Sequence, residues 1–139
     1  MRRLLAVLLL TSIPTWADTW ITFGGISDHF CHGCGLNNVN PGLGVEYDYT
    51  ENTKIIAGSY LNSYNRTTVY AGAAYQPIQY GPARIGIVGG VATNYGLKVP
   101  VIAAPVVSVE YQDLGVDILA VPSMGNYSGL VSVNFKIKF

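Results

Sequence analysis

The last ten residues, "LVSVNFKIKF" at 130–139, decide how the chain is read. Val131, Val133, Phe135, Ile137 and Phe139 alternate with Ser132, Asn134, Lys136 and Lys138. Strict period-two alternation makes an extended strand with one apolar and one polar face. An edge strand of a soluble sandwich shares the pattern. A strand that ends on Phe and carries two lysines on its other face fits better the wall of a barrel that is apolar outside and polar inside.

The other end of the chain points to export. "MRRLLAVLLL" at 1–10 is two arginines followed by an apolar run, and "TSIPTWA" at 11–17 supplies small residues before Asp18. This is the pattern of a secretory signal peptide, with cleavage expected after Ala17 and a single domain over 18–139. The apolar run is too short for a membrane-spanning helix. Downstream of it, Lys54, Arg66, Arg84, Lys98, Lys136 and Lys138 face eight acidic residues, a formal charge of −2 that argues against nucleic acid as a partner. Charged residues are only 12% of the chain, about half the usual share of a soluble domain. No segment after the signal approaches the length of an apolar transmembrane helix. An exported chain rich in Gly and Tyr and poor in charge is therefore expected to be all-β: an eight-stranded antiparallel transmembrane β-barrel of outer-membrane type. Its C-terminal strand closely resembles that of bacterial outer-membrane proteins.

Turn residues divide the chain into eight expected strands, near 19–28, 42–50, 54–62, 67–76, 83–93, 100–111, 114–121 and 130–139. An even number leaves both chain ends on the periplasmic side, so the first, third, fifth and seventh connections face outward. Alternation then assigns the interior. Arg84, Glu110, Asp117, Glu46, Asp48, Lys136 and Lys138 fall in the periplasmic half of the lumen, where buried charges can pair. Val88, Ala92, Ile102, Ala104, Val106, Leu119 and Val121 line the outer half. A polar plug below an apolar chamber is unlike a porin channel and suits a hydrocarbon chain. An interior filled by side chains is the competing reading, common in barrels of this size.

Four segments carry a family resemblance: "NPGLGVEY" at 40–47, "IIAGSYLNSYNRTTVYAGAAYQP" at 55–77, "RIGIVGGVATNYGLKVPVIAAPVVSVEY" at 84–111 and "VDILAVPSMGNYSGLVSVNFKIKF" at 116–139. In that order they resemble the outer-membrane lipid A palmitoyltransferases, as a shortened relative. The resemblance implies an eight-stranded barrel that moves a palmitoyl chain from a phospholipid donor to lipid A as acceptor. It implies an integral protein of the bacterial outer membrane, acting as a monomer on membrane lipids without a cofactor. The family's active-site His is matched by His29, at the end of the first strand. Its Asp-Ser pair is matched by Asn62 and Ser63, so the acid is replaced by an amide. Its lateral-gate prolines are matched by Pro105 and Pro122, and less closely by Pro41. Proline inside a strand removes a ladder hydrogen bond, and a lateral gate would give Pro105 a reason.

The chemistry of the residues agrees with a site at the outer rim. Acyl transfer needs a base to activate a hydroxyl and a donor to steady an oxyanion. His29 can be the base, Asn62 or Ser63 the donor, and Ser63 alternatively the nucleophile, with Tyr95 beside them. Asp28 is a poor orienter for the imidazole because neighbouring strand residues point to opposite faces. The alternative is that His29 is only a polar rim residue in a non-enzymatic small barrel serving lipid binding, adhesion or membrane integrity.

His29 belongs to "DHFCHGC" at 28–34, which also holds Cys31, His32 and Cys34. For two cysteines in an oxidising compartment a disulfide is the simplest reading. Zinc would need His29, Cys31, His32 and Cys34 together, packed too tightly for comfortable tetrahedral closure, so no metal is expected. A redox role lacks the βαβ setting such motifs use.

Overall fold

The computed structural model describes residues 17–98 and 100–139, so the expected signal peptide lies outside the described residues except for Ala17. Eight strands follow in order: β1 (Thr19–His29), β2 (Val39–Asp48), β3 (Thr53–Leu61), β4 (Thr67–Tyr80), β5 (Ala83–Ala92), β6 (Val101–Tyr111), β7 (Leu114–Val121) and β8 (Leu130–Lys138). Each pairs antiparallel with the next, and β1 pairs with β8 to close the barrel, from Trp20 opposite Lys138 to His29 opposite Leu130. The expected all-β, eight-stranded antiparallel barrel is thus observed. Two boundaries differ from expectation by three or more residues. β2 begins at Val39, so Pro41 lies inside the strand, and β4 runs on to Tyr80 past a register shift between Tyr75 and Ile78. That shift follows from Pro77, which cannot donate to the ladder.

The two ends of the barrel are unequal. At one end the connections are short, residues 49–52, 81–82 and 112–113. At the other they are longer: L1 at 30–38, L2 at 62–66, L3 at 93–100 and L4 at 122–129. The outward strand faces are apolar, with Ile26, Leu43, Ile87, Val101 and Phe135 all exposed. Asp28 is the one charged residue on them among the described residues. Tyr49, Tyr80, Tyr111 and Phe139 ring the short-turn end and are exposed.

Inside, the short-turn half holds a layer of charges. Lys136 Nζ lies 2.7 Å from Glu46 and 2.8 Å from both Glu110 and Asp117. Lys54 Nζ lies 2.6 Å from Glu110 and 2.9 Å from Asp48. Trp20, 1% exposed, sits against this layer with the ammonium groups of Lys54, Lys136 and Lys138 5.3–5.5 Å from its ring centre. Buried charges persist only when paired in this way. Lys54 completes the layer; the adjacent Ile55 and Ile56 interrupt the alternation of β3, so its facing is not legible in the sequence.

One local feature of β1 positions everything at the long-loop end. Trp20 and Thr22 point inward, and plain alternation would then turn Asp28 inward and His29 out. Instead Thr22 pairs with Lys136 while Gly25 pairs with Asn134, so β1 spends one more residue than β8 over this span. Such a bulge reverses the facing of all that follows. Ser27 and His29 become the buried residues, and Ile26 and Asp28 the exposed ones. Gly24 makes the bulge possible with φ +73° and a Cα so close to β2 that an added Cβ would lie 2.1 Å from the Asn40 carbonyl oxygen. Gly24→Ala should therefore cost about 1–3 kcal/mol of stability through strain and misplace His29. Urea unfolding in lipid vesicles measures it. Gly35→Ala is the control, since Gly35 has φ +69° but open space around it. Equal effects of the two substitutions would show that the close approach to β2 is unimportant.

Candidate active site

The bulge delivers the His29 side chain, 6% exposed, to the inner rim of the barrel. Its Nε2 lies 2.8 Å from Ser63 Oγ, and its Nδ1 lies 2.7 Å from Asn38 Oδ1. A carboxamide oxygen can only accept, so Nδ1 carries the proton and Nε2 is left free to accept from the serine hydroxyl. The sequence-expected partners His29 and Ser63 are brought together.

Asn62 is not brought to the imidazole. It is fully buried, and its side chain builds the L2 turn. Asn62 Oδ1 accepts from the backbone N–H groups of Tyr64 and Arg66 at 2.9 and 3.0 Å. Its Nδ2 donates to Thr68 Oγ1 and to the Asn94 carbonyl, both at 3.0 Å. With both ends of the amide engaged, Asn62 holds Ser63 in place from behind. This corrects the expectation that Asn62 would donate to the reacting centre.

Asn38 is the residue that sequence reasoning missed. It stands in "LNNVN" at 36–40, whose three asparagines each do something different. The Asn37 N–H donates to the Ser63 carbonyl at 2.8 Å, tying L1 to L2. Asn38 meets the imidazole and takes the Ser27 N–H on its own carbonyl at 2.9 Å. Asn40 accepts from Ser27 Oγ at 2.7 Å and donates to the Leu61 carbonyl at 3.0 Å. Three asparagines in five residues at a loop end were the available signal. Which of them faces His29 depends on pairing across the barrel.

Below the pair, the long-loop half of the lumen contains a cavity of about 340 Å³. Val88, Ala92, Ile102, Ala104, Val106, Leu119 and Val121 all line it, as alternation predicted, and Ile56 and Leu130 join them. Glu46, Lys54, Ser108 and Asp117 form its floor, at the top of the charge layer. His29, Ser63, Tyr64, Tyr95 and Tyr127 stand around its mouth. The Tyr60 and Tyr95 hydroxyls bond each other across it. Burial raises the pKa of Tyr95, so that hydroxyl stays neutral.

The wall beside the cavity is incomplete. β6 and β7 pair from Tyr111 opposite Leu114 up to Val106 opposite Leu119, and no further. Residues 101–105 of β6 still pair with β5, and Ala120 and Val121 still pair with β8. A slot is thus left between the two strands, with Pro105 on one side and Pro122 just past the other. Pro105 has no N–H to offer, so the ladder ends there. Pro41 sits elsewhere. It faces Gly24, and pairing resumes at once through Asn40 and Val39. The structure therefore places Pro41 at the bulge and not at an opening, contrary to its expected role as a gate.

Cys31 and Cys34 form a disulfide across L1, with their Cα atoms 5.8 Å apart. Next to it the Phe30 and Cys31 N–H groups donate to the Gly129 carbonyl and Ser128 Oγ, joining L1 to L4. Among the described residues no cluster of three His, Cys, Asp or Glu side chains is placed to hold a metal. No protein-family model matches the chain, and no curated protein gives a significant match to it.

Proposed function

We propose that the protein is an integral outer-membrane acyltransferase, moving a palmitoyl-like acyl chain from a phospholipid to lipid A or a related lipid. The observation that carries this reading is the His29–Ser63 pair at the mouth of an apolar cavity enclosed by the barrel. The cavity is within the size range of small-molecule sites, with apolar walls between the polar groups of its mouth and those of its floor. A fatty chain fits such a chamber with its ester at the rim.

Several features support a membrane setting. The outward faces are apolar with one charge among the described residues, and an aromatic girdle rings one end. So large an exposed apolar surface needs a lipid or protein cover. The apparent signal peptide provides for export. Open strand edges are not tolerated against lipid without a purpose, and the slot at Pro105 would serve for lateral entry of a lipid chain.

The test is expression in cells lacking a native lipid A acyltransferase, with lipid A analysed by mass spectrometry. An added mass of one fatty acyl group is expected. Unchanged lipid A from a folded, membrane-inserted protein would favour the non-enzymatic barrel instead.

A further inference from the structure

We infer that Ser63 is a covalent nucleophile, working in a Ser63–His29–Asn38 relay in which Asn38 is a positioning residue supplied by L1. The inference rests on the acyl-transfer reading for its substrate class, a carboxylic ester, but its geometry stands independently. Ser63 Oγ, the two imidazole nitrogens and Asn38 Oδ1 form one continuous chain of hydrogen bonds, 2.8 and 2.7 Å long. Nucleophile, base and orienter in this order define the triad logic wherever it occurs, and an amide can replace the usual carboxylate.

The surroundings keep the chain in register. Ser63 is 6% exposed and His29 likewise, so water competes little for either. The Asn37 N–H holds the Ser63 carbonyl, and the Asn62 side chain fixes the turn on either side. The Ser63 backbone N–H donates to no group among the described residues. It is free to donate to an oxyanion formed at its own side chain, as nucleophile N–H groups do in serine enzymes.

Ser63 Oγ attacks the carbonyl carbon of the donor ester while its proton passes to His29 Nε2. The tetrahedral oxyanion collapses, the bond to the glycerol oxygen breaks, and that oxygen takes the proton from Nε2. The acyl group is now an ester of Ser63. An acceptor hydroxyl then attacks the same carbonyl carbon and gives its proton to Nε2, and Ser63 Oγ leaves with that proton. Asn38 holds Nδ1–H throughout and so keeps Nε2 available. No other reactant is required.

The experiment uses the refolded full-length barrel and a fluorophosphonate probe, which is attacked by activated serines without any lipid acceptor. Labelling is followed by intact mass and mapped by peptide mass, and folding is checked by the gel shift of unheated barrels. A single adduct on Ser63 is expected, absent in Ser63→Ala and His29→Ala. Asn38→Leu, similar in shape but unable to accept, should slow labelling about tenfold or more. Asn38→Asp restores the acceptor and should bring the rate back to within about threefold of wild type. A merely structural Asn38 would not discriminate Asp from Leu in this way, since its backbone bond from Ser27 survives in both.

A folded protein that stays unlabelled overturns the inference, as does an adduct on another residue. So does Ser63→Ala keeping its acyl-transfer rate. Labelled Ser63 with unchanged lipid A would instead retain the nucleophile and remove only the proposed acceptor. The two readings therefore fail separately.

Discussion

Lys136→Met lowers the unfolding free energy of the barrel by about 3–5 kcal/mol, the cost of breaking a buried ion pair from one side. Lys136 Nζ is buried, and three carboxylates, of Glu46, Glu110 and Asp117, lie within 2.8 Å of it. Methionine fills nearly the same volume, so the packing around Trp20 is kept and the charge alone is removed. Lys54 then remains as the nearest cation, already shared by Asp48 and Glu110, with Arg84 farther off at 4.0 Å from each. Trp20 is the only tryptophan among the described residues, and the Lys136 ammonium lies 5.3 Å from its ring centre. Its fluorescence during urea unfolding in vesicles reports the transition directly. Lys138→Met is the comparison. Its partner Asp18 is 2.9 Å away, but both side chains are about a third or more exposed, 31% and 44%. Exposed pairs contribute about 0–1 kcal/mol. Similar losses for the two variants would mean that the charge layer does not act as a buried network.

On the proposed acyl-transfer reading, His29→Ala is expected to reduce the rate about 10²–10⁴-fold, the usual contribution of a positioned general base. The imidazole lies between a hydroxyl and an acceptor, the arrangement that activates serine. Removing it leaves Ser63 with its ordinary hydroxyl reactivity. On that reading the loss should appear in kcat, because the residues that line the cavity walls are untouched. His32→Ala, three residues along in the exposed part of L1, should leave the rate unchanged. The measurement is initial rate against phospholipid concentration in mixed micelles. A His29→Ala rate within threefold of wild type would remove His29 from the chemistry, whatever the fold.

These expectations separate what was readable in the residues from what was not. Strand number and order were readable, because alternation and turn residues are local properties. The cavity walls were readable for the same reason. On β5, β6 and β7 no bulge intervenes, so parity carries through from one end to the other. His29 and Ser63 were named through a family resemblance, and the barrel sets them 2.8 Å apart.

The misreadings have physical causes. Asn62 looked like a replacement for an acid, yet two backbone N–H groups in its own turn claim its oxygen. A short side chain beside a turn bonds locally before it can reach a distant partner. Pro41 looked like a gate because proline breaks ladders, but at this point β1 already departs from regular pairing. Lys54 is not legible as an inward residue because the adjacent Ile55 and Ile56 break the alternation of its strand.

By itself the sequence determined the closed β architecture, the two unequal ends, and the apolar-over-charged division of the lumen. The division of the lumen follows from the period of two that every extended strand obeys, and the strand count and unequal ends from where the turn residues fall. The tertiary structure alone decided which way His29 points and what it touches. One extra residue at Gly24 reverses the parity of β1, and pairing across the barrel sets Asn38 from L1 and Ser63 from L2 on either side of the ring. A bulge is a property of two strands together, so it cannot be read from the alternation of either one.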